Sequence, residues 1–232
     1  MAIIKGIQKT SMVDYPGRIA AVLFTSGCNM RCPFCQNPDL VLDNRDIPEL
    51  NTEKILDFLR QRRKWLDGVC ITGGEPLLYP DIIELIRKIK GINLMVKLDT
   101  NGLNPGLLKK ITSMGLADYV AMDIKSDRQH YKEASGTDLD ISKIEESIEI
   151  IKNSAIDYEF RSTIVPDFFD EEIVENIGKW INGAKRYCLQ QFRSNLPLLD
   201  KSFEGKEPYK KEILEKFRRI LGKYADEVMI RA

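Results

Sequence analysis

A chain of 232 residues, 43% of them hydrophobic, can build one domain (residues 1–232) with a substantial core. Thirty-five basic and thirty-five acidic residues cancel, so composition gives no argument for a nucleic-acid partner. No apolar stretch nears the roughly 20 residues that cross a bilayer, and Met1–Lys5 lacks the apolar core of a signal peptide, so neither membrane nor export is expected.

Short apolar runs alternate with segments of helical period. The first strand is predicted over Ile19–Ser26, followed by a helix over Thr52–Trp65 whose basic end, Arg60–Lys64, reads as a solvated face placed well for the helix dipole. A second strand covers Gly68–Thr72. The helix after it, Pro80–Lys90, marks one face with Ile82, Ile83, Leu85, Ile86 and Ile89. Third and fourth strands fall at Asn93–Leu98 and Asp118–Ile124. Between them lies a helix over Pro105–Met114, with Asn104 as N-cap and proline at the first helical position. A helix over Ser142–Asn153, a fifth strand over Asp157–Val165, a helix over Asp170–Asn182 and a sixth strand over Arg186–Phe192 continue the alternation. A final helix, Pro208–Lys223, carries Ile213, Leu214, Phe217, Ile220 and Leu221 on one side, and a short apolar run, Glu227–Arg231, follows it.

Strands alternating with helices imply an α/β fold with a parallel sheet, because each crossover returns the chain to the same end. An open doubly wound sheet and a partial barrel of six βα units, (β/α)6, both fit. The polar motifs all fall just after strands, where the carboxyl-end loops of a TIM-like barrel converge on one site. That placement favours the partial barrel.

The loop after the first strand reads Thr25-Ser26-Gly27-Cys28-Asn29-Met30-Arg31-Cys32-Pro33-Phe34-Cys35. Three thiolates at spacings of four and three can hold one cubane iron–sulfur cluster and leave one iron open, whereas an electron-transfer cluster takes four cysteines. A structural zinc site is the alternative, but it normally needs four closed ligands, and no fourth Cys or His lies nearby in sequence. An odd total of five cysteines, three of them clustered, suits a reducing cytoplasm rather than a disulfide scaffold.

The same cysteine spacing followed by Gly73-Gly74-Glu75-Pro76 resembles the radical S-adenosylmethionine (SAM) superfamily. Asp14-Tyr15-Pro16-Gly17-Arg18 leading into Phe24–Asn29 is similar to the activating enzymes of glycyl-radical enzymes. The resemblance extends from about Lys5 to Gln191. It is strongest to anaerobic ribonucleoside-triphosphate reductase activating proteins and more distant to pyruvate formate-lyase activases. It implies the radical SAM partial barrel, and a [4Fe-4S] cluster held by Cys28, Cys32 and Cys35 with SAM on the open iron. One electron from a low-potential donor such as flavodoxin or ferredoxin would split SAM into methionine and a 5′-deoxyadenosyl radical. That radical would take a hydrogen from a glycine of the partner, anaerobic ribonucleotide reductase being the leading candidate. The radical chemistry belongs to the cofactor, so the protein's task is to hold, orient and shield it.

The remaining site residues follow from the same resemblance. Gly73, Gly74 and Glu75 are expected at the SAM amino group, where glycines let backbone approach a ligand and Glu75 can accept a charge-assisted hydrogen bond; a βα turn with a capping acid is the structural alternative. Asp99, Thr100 and Asn101 present acceptors and donors suited to a ribose or methionyl group, or form a local Asp-Thr-Asn-Gly turn. Asp123, Ile124 and Lys125 close the fourth strand, with Lys125 aimed at the SAM carboxylate. Arg161 is a second candidate clamp by its bidentate geometry, or a buried ion pair. Phe34 is expected against adenine, with Gln36 beside it. Some pyruvate formate-lyase activases have His at the position of Gln36 and another after the sixth strand, where this chain has Gln190-Gln191-Phe192-Arg193. Asp14–Arg18 is expected near the substrate opening. Cys70 and Cys188 read as small buried hydrophobes and His130 as a solvent-facing loop residue. Two other functions compete: a radical SAM enzyme acting on a small metabolite such as a deazapurine precursor, and a noncatalytic zinc- or cluster-binding scaffold module.

Overall fold

The computed structural model describes residues 2–231. Eight strands form one sheet: β1 (Ile4–Ser11), β2 (Ala20–Thr25), β3 (Gly68–Gly73), β4 (Met95–Thr100), β5 (Tyr119–Asp123), β6 (Asp157–Ile164), β7 (Ala184–Gln191) and β8 (Ala225–Arg231). Their order in space is their order in sequence. β1 pairs antiparallel with β2, and every later neighbour is parallel. The helices are α1 (Pro38–Val41), α2 (Thr52–Arg62), α3 (Ile82–Gly91), α4 (Pro105–Ser113), α5 (Tyr131–Ser135), α6 (Ile141–Lys152), α7 (Glu171–Trp180) and α8 (Lys211–Leu221).

The six expected strands form the middle of one open sheet, as a partial barrel requires, and two further strands extend it. The run at Glu227–Arg231 belongs to β8, a seventh parallel strand set beside β7 by α8. The other addition is β1, for which no strand was expected. Its residues Gln8, Lys9 and Thr10 are exposed and Gly6 interrupts it, as suits an edge strand with one covered neighbour. The first and last strands do not meet, so the sheet curves without closing. No helix among the described residues is long and apolar enough to cross a membrane.

The helices cover one face of the sheet with the apolar stripes read from the sequence. On α3, Ile82, Leu85, Ile86 and Ile89 are buried, each burial stabilising by roughly 1.5–3 kcal/mol. Capping starts the helices where the sequence places them. Asn104 Oδ1 accepts from Leu107 N at 3.1 Å with Pro105 at the first turn, and Asp170 Oδ1 accepts from Ile173 N at 2.8 Å. Near the amino ends of the strands Tyr15, Ala20, Tyr119 and Ala121 pack into a small second core. The carboxyl ends are left for polar groups.

Candidate active site

The Cys28–Cys35 loop leaves the carboxyl end of β2 and is pinned from three sides by backbone. Gly74 N donates to Thr25 O at 2.9 Å and Glu75 N to Gly27 O at 2.8 Å, joining it to the β3 loop. The approach is so close that a Cβ on Gly74 would lie 1.8 Å from Gly27 O, so the paired glycines let two loops of this chain touch. Arg31 N donates to Ser135 O at 2.8 Å, tying the loop to α5. Leu199 N and Asp200 N donate to Cys35 O and Pro33 O at 3.0 and 2.9 Å.

These loops enclose a cavity of about 330 Å3 at the carboxyl ends of the strands. Cys28, Cys32 and Cys35 line it together with Phe34, Gln36, Gly73, Gly74, Glu75, Asp99, Thr100, Asn101, Asp123, Lys125 and Arg161. Of the expected site residues Ile124 lies elsewhere. Its side chain is fully buried in the main core, and its backbone N and O bond to β6 at Arg161 O and Ser162 Oγ. Asp14, from the segment expected near the substrate opening, and Gln190 also line the cavity, and Phe24, Thr72 and Thr163 join them without a motif to mark them. The usable signal was period two: Thr163 follows Arg161 by two residues on β6, so both face the same side.

Glu75 is 2% exposed and fully engaged. Oε1 accepts from Leu77 N at 2.9 Å and Thr100 Oγ1 at 2.8 Å, and Oε2 from Asn101 N at 2.7 Å. It is therefore the capping acid of the alternative reading, and it also faces the cavity. Burial pushes its carboxyl up to about 7 against the three donors that favour the anion.

A chain of alternating charges crosses the cavity wall. Lys125 Nζ lies 2.9 Å from Asp123 Oδ2, Arg161 Nε 2.5 Å from Asp123 Oδ1, and Arg161 Nη1 3.0 Å from Asp99 Oδ2. Lys97, buried inside the sheet, completes it on Asp99 Oδ1. Burial alone would raise the Asp123 carboxyl, but Arg161 and Lys125 hold it well below the usual carboxylate range. Burial opposes the Lys125 charge, and Asp123 more than restores it. Of the three cations in the chain, Arg161 and Lys125 line the cavity, where an anionic ligand group can meet them.

Burial pushes the Cys28 and Cys35 thiols up and Cys32 up to about 12, and the cation common to all three is Lys125. Such thiols ionise only beside a stronger cationic centre. Three soft sulfur donors at one cavity mouth, joined by N–H groups aimed at sulfur, fit an iron–sulfur cluster. Met30 N lies 3.4 Å and Asn101 Nδ2 3.7 Å from Cys28 Sγ. No three His, Cys, Asp or Glu side chains among the described residues are drawn together as for a single metal ion. The other two cysteines are fully buried in strands β3 and β7. His130 is half-exposed before α5, its Nδ1 2.7 Å from Asp127 Oδ1.

A parallel sheet with its polar cavity at the carboxyl ends and three thiols at the rim defines an enzyme of the partial-barrel class. The chain belongs to the radical SAM superfamily, whose family model matches residues 22–178. It is 35% identical to a Methanocaldococcus jannaschii protein named as a glycyl-radical enzyme activating enzyme, over 99% of this chain and 96% of that one. It is 31% identical to the pyruvate formate-lyase-activating enzyme of Clostridium pasteurianum, over 80% and 77% of the two chains. In fold it is similar to a domain of a pyruvate formate-lyase-activating enzyme from Bacteroides vulgatus (TM-score 0.57, 18% identity, 71% of this chain and 99% of that one). Streptococcus suis SuiB bound to its precursor peptide is a second structural neighbour (TM-score 0.67, 14% identity, 90% and 48% of the chains). The family's cofactors are a [4Fe-4S] cluster and SAM, and the glycyl-radical activases are enzymes that act on a glycyl-radical partner.

Proposed function

We propose that this single-domain chain activates anaerobic ribonucleotide reductase by creating its glycyl radical. The observation that carries the reading is one cavity gathering three thiols, a buried acid and the cations Lys125 and Arg161 beside a sheet that stays open. When bound, a reduced cluster and SAM would supply the one-electron chemistry that removes a hydrogen atom from the partner's glycine, with methionine and 5′-deoxyadenosine as the products from SAM. Cys28, Cys32 and Cys35 would be the only protein ligands of one cluster. Lys125 would hold the SAM carboxylate and Glu75 its ammonium, with Asp99 and Thr100 along the nucleoside. Arg161 holds Asp123 and Asp99 in place for those contacts.

The unclosed sheet supports a macromolecular substrate, since hydrogen abstraction needs the reacting carbons close and aligned and a protein must insert a loop to reach them. Gln36 and Gln190, both lining the cavity where some pyruvate formate-lyase activases carry His, favour the reductase as partner. The electron would come from a flavodoxin or ferredoxin, in a reducing cytoplasm suited to a cluster of thiolate ligands.

The test is anaerobic reconstitution, followed by electron paramagnetic resonance on mixtures with the reductase and with pyruvate formate-lyase. A glycyl doublet with the reductase supports the reading. A doublet only with the lyase would replace the partner. SAM cleavage without a radical on either, and no label passed to 5′-deoxyadenosine from a peptide deuterated at the glycine α-carbon, would hand the lead to a small-metabolite substrate.

A further inference from the structure

Between β7 and α8 the chain makes an excursion for which no element was expected, and it lies against the cysteine loop. Its ends are drawn together by Gly205 N donating to Ser194 O at 2.9 Å. Glu204 Oε1 accepts from Leu198 N at 3.2 Å, and Asp200 Oδ1 from Ser202 N at 2.8 Å over a short turn at Lys201–Phe203. A compact loop of this size, closed on its own hydrogen bonds, is an Ω-loop.

It touches the site in two ways. Leu199 N and Asp200 N donate to Cys35 O and Pro33 O, so the turn carrying Cys32 and Cys35 borrows its backbone partners from a segment far away in sequence. Phe203 stacks on Phe168 with ring centres 5.8 Å apart, and Phe168 packs on Phe34 at 5.7 Å. Phe34 sits inside the cysteine turn and is 5% exposed. Lys206 seals the outside, its ammonium 4.0 Å over the Phe203 ring and 2.6 Å from Asp167 beside Phe168.

We infer that the 194–205 Ω-loop is a clamp that positions the Cys32–Cys35 turn, with Phe203 as its chief positioning residue. The loop contributes no group to the cavity lining, so it acts through Phe34 and two carbonyls. Its consequence for cofactor binding rests on the cluster assignment above; its hold on the thiols does not.

The experiment compares Phe203→Ala, Phe203→Tyr and wild type in two measurements. In metal-free protein under reducing anaerobic conditions, iodoacetamide labelling read by mass spectrometry gives the alkylation rates of Cys32 and Cys35. In reconstituted protein, bipyridyl gives the rate of ferrous iron release, read well below the melting temperature. Losing the ring contacts should speed labelling and iron release roughly two- to tenfold, and Phe203→Tyr, which keeps the ring, should restore both. Wild-type labelling in a folded Phe203→Ala, or Tyr failing to rescue, overturns the clamp. Should Phe203→Ala fail to fold, Lys206→Ala decides, since it loosens the seal without emptying the core: faster labelling supports the clamp and an unchanged rate rejects it. A wild type that takes up no iron defeats the cluster assignment, and the labelling rates still judge the clamp.

Discussion

Two residues apart on β6, Arg161 and Glu159 centre two ion-pair networks: Arg161, in register with Asp123 of β5, marks the upper level, and Glu159, fastened to Arg231 of β8, the lower. At the upper level Arg161 divides its nitrogens between Asp123 and Asp99, and the chain runs on to Lys125 and Lys97. At the lower level Arg231 meets both oxygens of Glu159 at 2.7 and 2.6 Å. Tyr119 OH donates to Glu159 at 3.0 Å, and Arg186 Nη1 donates to Tyr119 OH at 2.9 Å. Residue types barely differ between the two. Accessibility does: Arg161, Asp123, Asp99 and Lys125 line a cavity, whereas Glu159 has no exposed surface and a closed set of donors. A buried carboxylate satisfied by a bidentate arginine is part of the framework. One whose cations also reach a cavity is available to a ligand.

Thiols give the sharpest form of this contrast, because the interior also holds Cys70 and Cys188. Replacing Cys28, Cys32 or Cys35 by Ala should abolish iron uptake and SAM cleavage. Cys70→Ala and Cys188→Ala should retain both, as iron analysis and product chromatography would show. Loss of the cluster in Cys188→Ala would break the three-ligand assignment.

Next in size is the lower level itself. Arg231→Ala strands Glu159 in the interior and should cost on the order of 3 kcal/mol of stability, seen as a lowered denaturation midpoint. SAM affinity in the folded variant should stay at the wild-type value. A comparable loss of SAM affinity would mean that the two levels are one functional network.

Lys125→Ala probes the upper level from the ligand's side. Each lost charged hydrogen bond to a buried ligand should cost about 1.5–3 kcal/mol, or roughly tenfold to a hundredfold in SAM affinity. Iron content should not change. Glu75 will divide its effect, because Glu75→Ala also orphans Asn101 N, Leu77 N and Thr100 Oγ1. It should therefore lose stability as well as SAM, where Lys125→Ala loses mainly SAM.

The smallest effect is in pH. Glu75 sits at about 7 in the fold against an ordinary 4.5, raised by burial, so the folded state holds its proton more tightly than the unfolded chain. That contribution to stability is fully present below pH 4.5 and is lost as pH rises through 7. SAM-free protein should show a melting temperature that declines over this window relative to Glu75→Gln, in calorimetry across buffers. Identical slopes would remove Glu75 as the titrating group.

Much of this protein is written locally. Alternating apolar runs and helical stripes, Asn104 before Pro105, and the spacing of Cys28, Cys32 and Cys35 are short-range patterns, and each marks an element or a motif wherever the chain goes. Their placement just after strands also locates the cavity, because parallel strands bring all their carboxyl ends to one edge. Other features had no local signature. β1 is a polar edge strand that pairs on one side, and β8, the opposite edge, exposes Asp226 and Glu227 and is only half-buried beyond them, so its sequence reads as a stray apolar run. Glu75 looks like a ligand contact in sequence, and its bonds to Thr100 and Asn101 exist only once β3 and β4 lie side by side. Arg161 and Arg231 are alike as residues, and only the assembled sheet decides which faces a cavity and which closes on Glu159. The Ω-loop that holds the cysteine turn lies more than 150 residues from it. Hydrogen bonds and ring contacts across such separations depend on where the sheet delivers each loop, and that is a property of the whole fold.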